Sequence, residues 1–161
     1  MDAQTSDIYE QLITSGLRFV SFRPRSEKEI RDFLARKLKR RHTTAPLVVR
    51  EVLDRLRVLG YVDDAKFTAW WVEQRTGRKP KGRRLIEREL LQKGIVYEAK
   101  IDEKQLAKRA IAKKQMLWKK LPQLERKKKI SDFLYRRGFD WETIASIVDE
   151  VVKKEYNTAS E

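Results

Sequence analysis

Between residues 77 and 88 the chain reads GRKPKGRRLIER, and its cations are spaced to hold phosphate. By helical phase, Lys81, Arg84 and Arg88 point away from the apolar Ile86/Leu90 stripe and have no acidic neighbour to neutralise them. Arg78 and Lys79 extend the row into the preceding loop. Such a row binds a nucleic-acid backbone by ion pairing and counterion release, without reading bases. Arg83 is expected to pair with Glu87 and Glu89 with Lys93, which makes those cations less available. Two more clusters are secondary candidates. RKLKRR at 36–41 offers Lys39, Arg40 and Arg41, and RKKK at 126–129 offers Arg126, Lys127 and Lys128.

Other chemistry is sparse. Asp63–Asp64 is the one conspicuous adjacent carboxylate pair, and helix capping explains it more simply than cation binding. His42, inside RRHTT, has no partner that would make it catalytic or a metal ligand, and is expected at the surface. The absence of cysteine excludes disulfides and thiolate metal sites. No phosphate-binding glycine loop, metal-ligand cluster or nucleophile motif occurs, so neither a cofactor nor an enzyme is expected. Trp70 and Trp71 could stack on bases, but their spacing beside Phe67 places them in a core with one indole edge exposed. Trp118 and Trp141 are read the same way.

A net charge of +14 implies a polyanionic partner. The charge is not one tail: residues 23–64, 65–99 and 100–161 carry +5, +5 and +6, which suits an extended footprint along a polymer. No apolar run approaches the ~18 residues of a membrane span. The first residues, MDAQTSDIYE, are too polar for a signal peptide. A soluble cytoplasmic protein without a membrane partner is the expectation.

The elements that would position these residues repeat. IRDFLARK at 30–37 returns as ISDFLYRR at 130–137, and more weakly as IERELLQK at 86–93. Ile, Phe and Leu at i, i+3 and i+4 form one helical stripe, and Gly94 and Gly138 end the later copies in the left-handed conformation. Asp32–Arg36 and Asp132–Arg136 are expected as solvent-face pairs, with Lys37 and Arg137 in last helical turns. Ser26 and Glu29 make a capping box before Ile30. Helical periodicity also covers 46–59, the segment after Asp64, 103–121 and 141–152, with Leu59, Leu106, Ala110, Leu117 and Leu121 among the core positions. The fold class is all-α, as tandem three-helix, helix-turn-helix-like repeats. Their expected bounds are 7–62, 63–101 and 102–156, with flexible termini at 1–6 and 157–161. VYEAK at 96–100 leaves the second repeat without a full third helix.

Four motifs follow one another along the chain: Arg25, Ser26, Glu29, Ile30 and Leu34; then Leu56, Leu59, Gly60-Tyr61-Val62-Asp63-Asp64, Phe67, Trp71, Val72 and Arg75; then Lys81-Gly82, Ile86, Leu90 and Lys93-Gly94-Ile95; and finally Phe133-Leu134, Arg136-Arg137 and Gly138-Phe139. In this order they resemble the RecX family, regulators of the RecA recombinase. The resemblance implies an elongated, curved array, acting as a monomer, that lodges in the groove of a RecA filament and touches its DNA, single- or double-stranded. It implies suppression of ATP hydrolysis, strand exchange and the SOS response. Among the motif residues, Arg75, Lys81 and Lys93 are the basic positions carried over for binding. The rival reading is a general DNA- or RNA-binding helical array that acts without RecA.

Overall fold

A computed structural model describes residues 3–158, with side chains described through residue 153. Among the described residues there are eight helices and no strand: α1 (Ala3–Ser21), α2 (Glu27–Lys39), α3 (Pro46–Val58), α4 (Asp64–Thr76), α5 (Arg83–Gln92), α6 (Glu103–Trp118), α7 (Gln123–Arg136) and α8 (Trp141–Thr158). The chain is built of tandem helical repeats. After α5 no helix forms until Glu103, so the second repeat lacks its third helix.

Local chemistry sets the helix starts. Ser26 Oγ accepts from the Glu29 amide while the Glu29 carboxylate accepts from the Ser26 amide, completing the capping box of α2. Asp63 Oδ1 accepts from the Lys66 amide at 2.9 Å and starts α4. Asp64 Oδ1 accepts from the Glu27 amide at 2.8 Å, at the head of α2. The adjacent aspartates are therefore both occupied as caps. Asp102 caps α6 through the Gln105 amide. At the other ends, Gly60, Gly94 and Gly138 have φ of 81°, 80° and 84°.

Two compact units result, one of residues up to 70 with 92–95, the other of 71–91 with 96 onward. In the first, α1, α2 and α3 close over Leu12, Ile30, Leu34, Val52 and Leu56. Helix α1, the first helix of the repeat expected from residue 7, begins at Ala3, so residues 3–6, expected to be a flexible terminus, form its first turn, and 157–158 end α8. The rest of those termini lies outside the described residues. In the second unit, α6, α7 and α8 enclose Ile111, Ile130, Leu134, Phe139, Ile144 and Ile147. Here α6 ends at Trp118, short of residue 121, and Leu117 is exposed while Ile111 is buried. Leu59 is likewise exposed, because α3 ends at Val58 and the chain turns away at Gly60.

The feature that positions the basic surface is the approach of α5 to the α7–α8 turn. The Gly82 amide donates to the Arg137 carbonyl at 2.9 Å, and the Arg84 amide to the Gly138 carbonyl at 3.1 Å. Backbone meets backbone, with no room for a Cβ on either side. A methyl at Gly82 would lie 2.3 Å from Phe139 N, and one at Gly138 would lie 2.2 Å from Leu85 Cβ. Glu103 ties the same corner together. Its carboxylate accepts from the Arg83 amide at 2.5 Å and from the Thr143 hydroxyl at 3.3 Å, and its side chain is buried.

Candidate nucleic-acid interface

The cations chosen from the sequence divide into engaged and available ones. Glu89 on α5 accepts from Arg75 Nε at 2.6 Å, Lys81 Nζ at 2.9 Å and the Trp71 indole at 3.1 Å. Arg75 also lies over the Trp71 ring, 4.0 Å from its centroid. Lys81 is thus engaged by a carboxylate it shares with Arg75, contrary to the helical-phase expectation. It precedes the first residue of α5, so helical phase does not govern it, and its stem turns back along the helix to Glu89. Lys93 pairs with Glu29 at 2.9 Å, not with Glu89. Glu29 collects Arg23 at 2.8 Å as well.

Other expected pairs are rearranged. Glu87 accepts from the Ala99 amide at 2.8 Å, and Arg83 makes no ion pair with it among the described residues. Asp32 pairs with Lys28 at 2.7 Å, not Arg36. Lys37 donates to Ser15 Oγ, and Arg137 to the Pro80 carbonyl at 3.2 Å.

The available set is smaller and better defined. Arg78 and Lys79 are exposed in the loop before α5. Arg84 and Arg88, one turn apart on α5, are exposed and line a cleft of about 410 Å³ with Leu85, Tyr135, Arg136 and Gly138. The Arg84 guanidinium lies 4.4 Å from the Tyr135 ring centroid and donates to the Tyr135 carbonyl at 3.3 Å, which orders it without cancelling its charge. Arg136 enters the cleft from α7, free of an ion pair with Asp132 among the described residues. Arg136 and Tyr135 went unrecognised in sequence. The i, i+4 rule assigned Arg136 to Asp132, and nothing in the spacing brings residue 136 to residue 84.

The secondary clusters fare unevenly. Lys39, Arg40 and Arg41 are exposed at the end of α2, Arg41 reaching Gln11 Oε1. Arg126 is corrected: it is buried in α7, with Nη1 donating to the Lys119 carbonyl at 3.2 Å. Lys127 is half-buried and Lys128 exposed. Among the tryptophans, Trp71 is buried, Trp70 half-buried, and Trp118 sits edge-on to Phe133 at 5.6 Å. Trp141 is corrected: at the first position of α8 it is 69% exposed, since the inward face of that helix is supplied by Ile144 and Ile147. His42 is exposed with a φ of 53°.

The partly and fully buried carboxylates respond to these partners. Burial opposes the charge of Glu89, but hydrogen bonds from Arg75 and Lys81 outweigh it and hold its pKa below the ordinary 4.5. Glu29 is lowered likewise, burial being overcome by Arg23, Lys93 and the Ser26 amide. Burial, reinforced by its contact with Asp140, raises Glu103 instead. A group with a lowered folded pKa contributes stability that is present above its unfolded value and lost as pH falls through the folded one. Stability should therefore decline on acidification below pH 4.5, and Glu89→Gln should flatten that decline. The same change should cost about 1–2 kcal/mol at pH 7, between the values for exposed and buried ion pairs. Urea denaturation of both proteins across pH 2–7 checks this, and parallel profiles would contradict it. Glu103 contributes with the opposite sign, its share being lost as pH rises through its raised pKa.

Among the described residues no cluster of histidine or carboxylate side chains could hold a metal ion, and no helix is long and apolar enough to cross a membrane.

Comparison with known proteins places this geometry in a family. Residues 63–99 match the model of the second three-helix domain of RecX, and 102–148 that of the third. The regulatory protein RecX of Prosthecochloris aestuarii is 32% identical over 145 residues, covering 87% of this chain and 93% of the relative. The RecX of Listeria innocua is 31% identical over 86 residues, which is 53% of this chain but only 30% of that protein's length. A crystal structure of regulatory protein RecX superposes with a TM-score of 0.70 at 26% identity, covering 92% of this chain and 80% of the other. With tandem helical repeats, matched second and third domains and a relative aligned over nearly its whole length, the chain belongs to the RecX family of regulatory proteins.

Proposed function

We propose that this protein is a non-catalytic cytoplasmic regulator that binds the RecA–DNA filament as a monomer and inhibits its ATPase, recombinase and SOS co-protease activities. The observation that carries the reading is the cleft of Arg84, Arg88 and Arg136. Three arginines from two helices line it together, next to backbone packing that admits no side chain. Arginine suits a bidentate grip on phosphate, and Tyr135 holds one of the three in place. Arg78 and Lys79 extend the contact. Membership of a family of regulators supports action by occupancy.

The test is binding to preformed filament. A labelled protein mixed with RecA-coated single-stranded DNA should bind more tightly than to the same DNA bare, at matched salt. Equal affinity for coated and bare DNA would leave a general nucleic-acid binder and overturn the role in RecA regulation.

A further inference from the structure

A second cleft, in the first unit, has a different composition. It occupies about 440 Å³ and is lined by Phe22, Arg23, Tyr61, Asp63 and Lys66 among others. That volume falls within the ordinary range for a ligand site, about 300–1,000 Å³. Phe22 is 73% exposed and Tyr61 47% exposed. Neither ring belongs to the buried core of this unit. Val20 and Val62, their near neighbours in sequence, are buried and supply the core contacts. Phe19 stacks on Phe33 at 4.1 Å and Phe67 meets Trp70 at 5.8 Å, but Phe22 and Tyr61 make no ring contact among the described residues. Tyr61 directly follows the glycine that ends α3, where an apolar side chain ordinarily packs back on the helix.

The surrounding backbone is firmly held. The Tyr61 amide donates to the Leu56 carbonyl at 2.9 Å, Ser21 Oγ to the Arg18 carbonyl at 2.8 Å, and Arg23 to the Pro24 carbonyl at 2.8 Å. The rings are thus presented from ordered segments. Arg23 is committed to Glu29, and Asp63 to the start of α4. Lys66 remains, its side chain 80% exposed and only loosely drawn to Asp63 at 3.7 Å. Two exposed aromatic rings lining one cleft beside an exposed ammonium match one chemical unit, a nucleotide with an unpaired base.

We propose that this cleft binds single-stranded nucleic acid, a base stacking on Phe22 and Tyr61 while Lys66 meets the adjoining phosphate. A duplex keeps its bases stacked on each other and gains nothing here, so the cleft confers a preference for single strands. It goes beyond the RecA reading and is testable without RecA.

The test uses the full chain, a fluorescent oligothymidylate and a duplex of equal length. Phe22→Ala and Tyr61→Ala should each weaken single-strand binding about tenfold, within the range for loss of one base–aromatic stack. Duplex binding should be unchanged. The slope of log affinity against log salt should be unchanged too, because no charge is removed. Tyr61→Phe should retain affinity, and circular dichroism should show both alanine variants folded. A photoreactive 5-iodouracil oligonucleotide should crosslink to peptides containing Phe22 or Tyr61. The proposal is overturned by wild-type single-strand affinity in both variants, by equal losses for duplex and single strand, or by crosslinks confined to other segments. If the variants lose affinity for RecA-coated DNA alone, the cleft is a protein-docking surface and the proposal is likewise overturned.

Discussion

Reversing two charges in one variant, Arg84→Glu with Arg88→Glu, is expected to weaken DNA binding by at least about 100-fold at low salt. In the proposed interface each arginine would form charge-assisted hydrogen bonds with phosphate worth roughly 1.5–3 kcal/mol, and the introduced carboxylates would add repulsion. Both side chains are exposed, so helix α5 should keep its structure. Loss of two phosphate contacts should also flatten the salt dependence by roughly 1.4 for single strands and 1.8 for duplex. Fluorescence anisotropy at four or five salt concentrations gives affinity and slope together. A weakened affinity with the original slope would mean that the arginines act indirectly. The matched variant Arg75→Ala should behave differently. Arg75 is held by Glu89 beside Trp71, so its removal should lower stability and leave the salt slope nearly intact.

Gly138→Ala should be among the most destabilising single changes available in this chain. The residue sits at a φ of 84°, where a side chain costs roughly 1–2 kcal/mol. Its new methyl would meet Leu85 Cβ at 2.2 Å and Leu85 N at 2.7 Å, so backbone must move. Overpacking of this kind costs about 1–3 kcal/mol. Together the loss should reach about 2–5 kcal/mol, a large share of the stability of an ordinary small domain. Gly82→Ala should follow closely, since its methyl meets Phe139 N at 2.3 Å. Urea denaturation of the full chain provides the measure. Both variants should also bind DNA more weakly, because the Arg84 amide is anchored on the Gly138 carbonyl and the cleft opens when that joint moves. Unchanged unfolding midpoints would show that α5 and the α7–α8 turn do not pack as described.

The helices were legible where a local rule decides them. The capping box at Ser26, the apolar stripe of Ile30 and Leu34 with its copy at Ile130 and Leu134, and the terminal glycines follow from residues within one or two turns. The missing third helix of the second repeat was readable from chain length alone. What remained hidden depends on partners far apart in sequence. Arg126 reads as one cation of a basic run, yet it is buried, a fact set by how α7 packs. Lys81 reads as free until the loop returns it to Glu89. Arg136 reads as paired with Asp132, yet lines a cleft with Arg84 and Arg88, about fifty residues away. Glu103 looks like an ordinary first-turn acid, but it joins the starts of α5 and α8. Periodicity ranks the faces of a helix and says nothing about which other helix a face will meet. Phe22 and Tyr61 illustrate the converse. Their apolar character would assign them to a core that Val20 and Val62 already fill.

The most direct test of regulation by filament occupancy is ATP hydrolysis by RecA on single-stranded DNA, titrated with this protein and with the Arg84→Glu, Arg88→Glu variant. Wild type should lower the rate at protein levels well below those of RecA, extra DNA should not restore it, and the variant should need far more protein for the same effect. A rate that falls only once the DNA is saturated, and recovers when DNA is added, would contradict regulation through the filament.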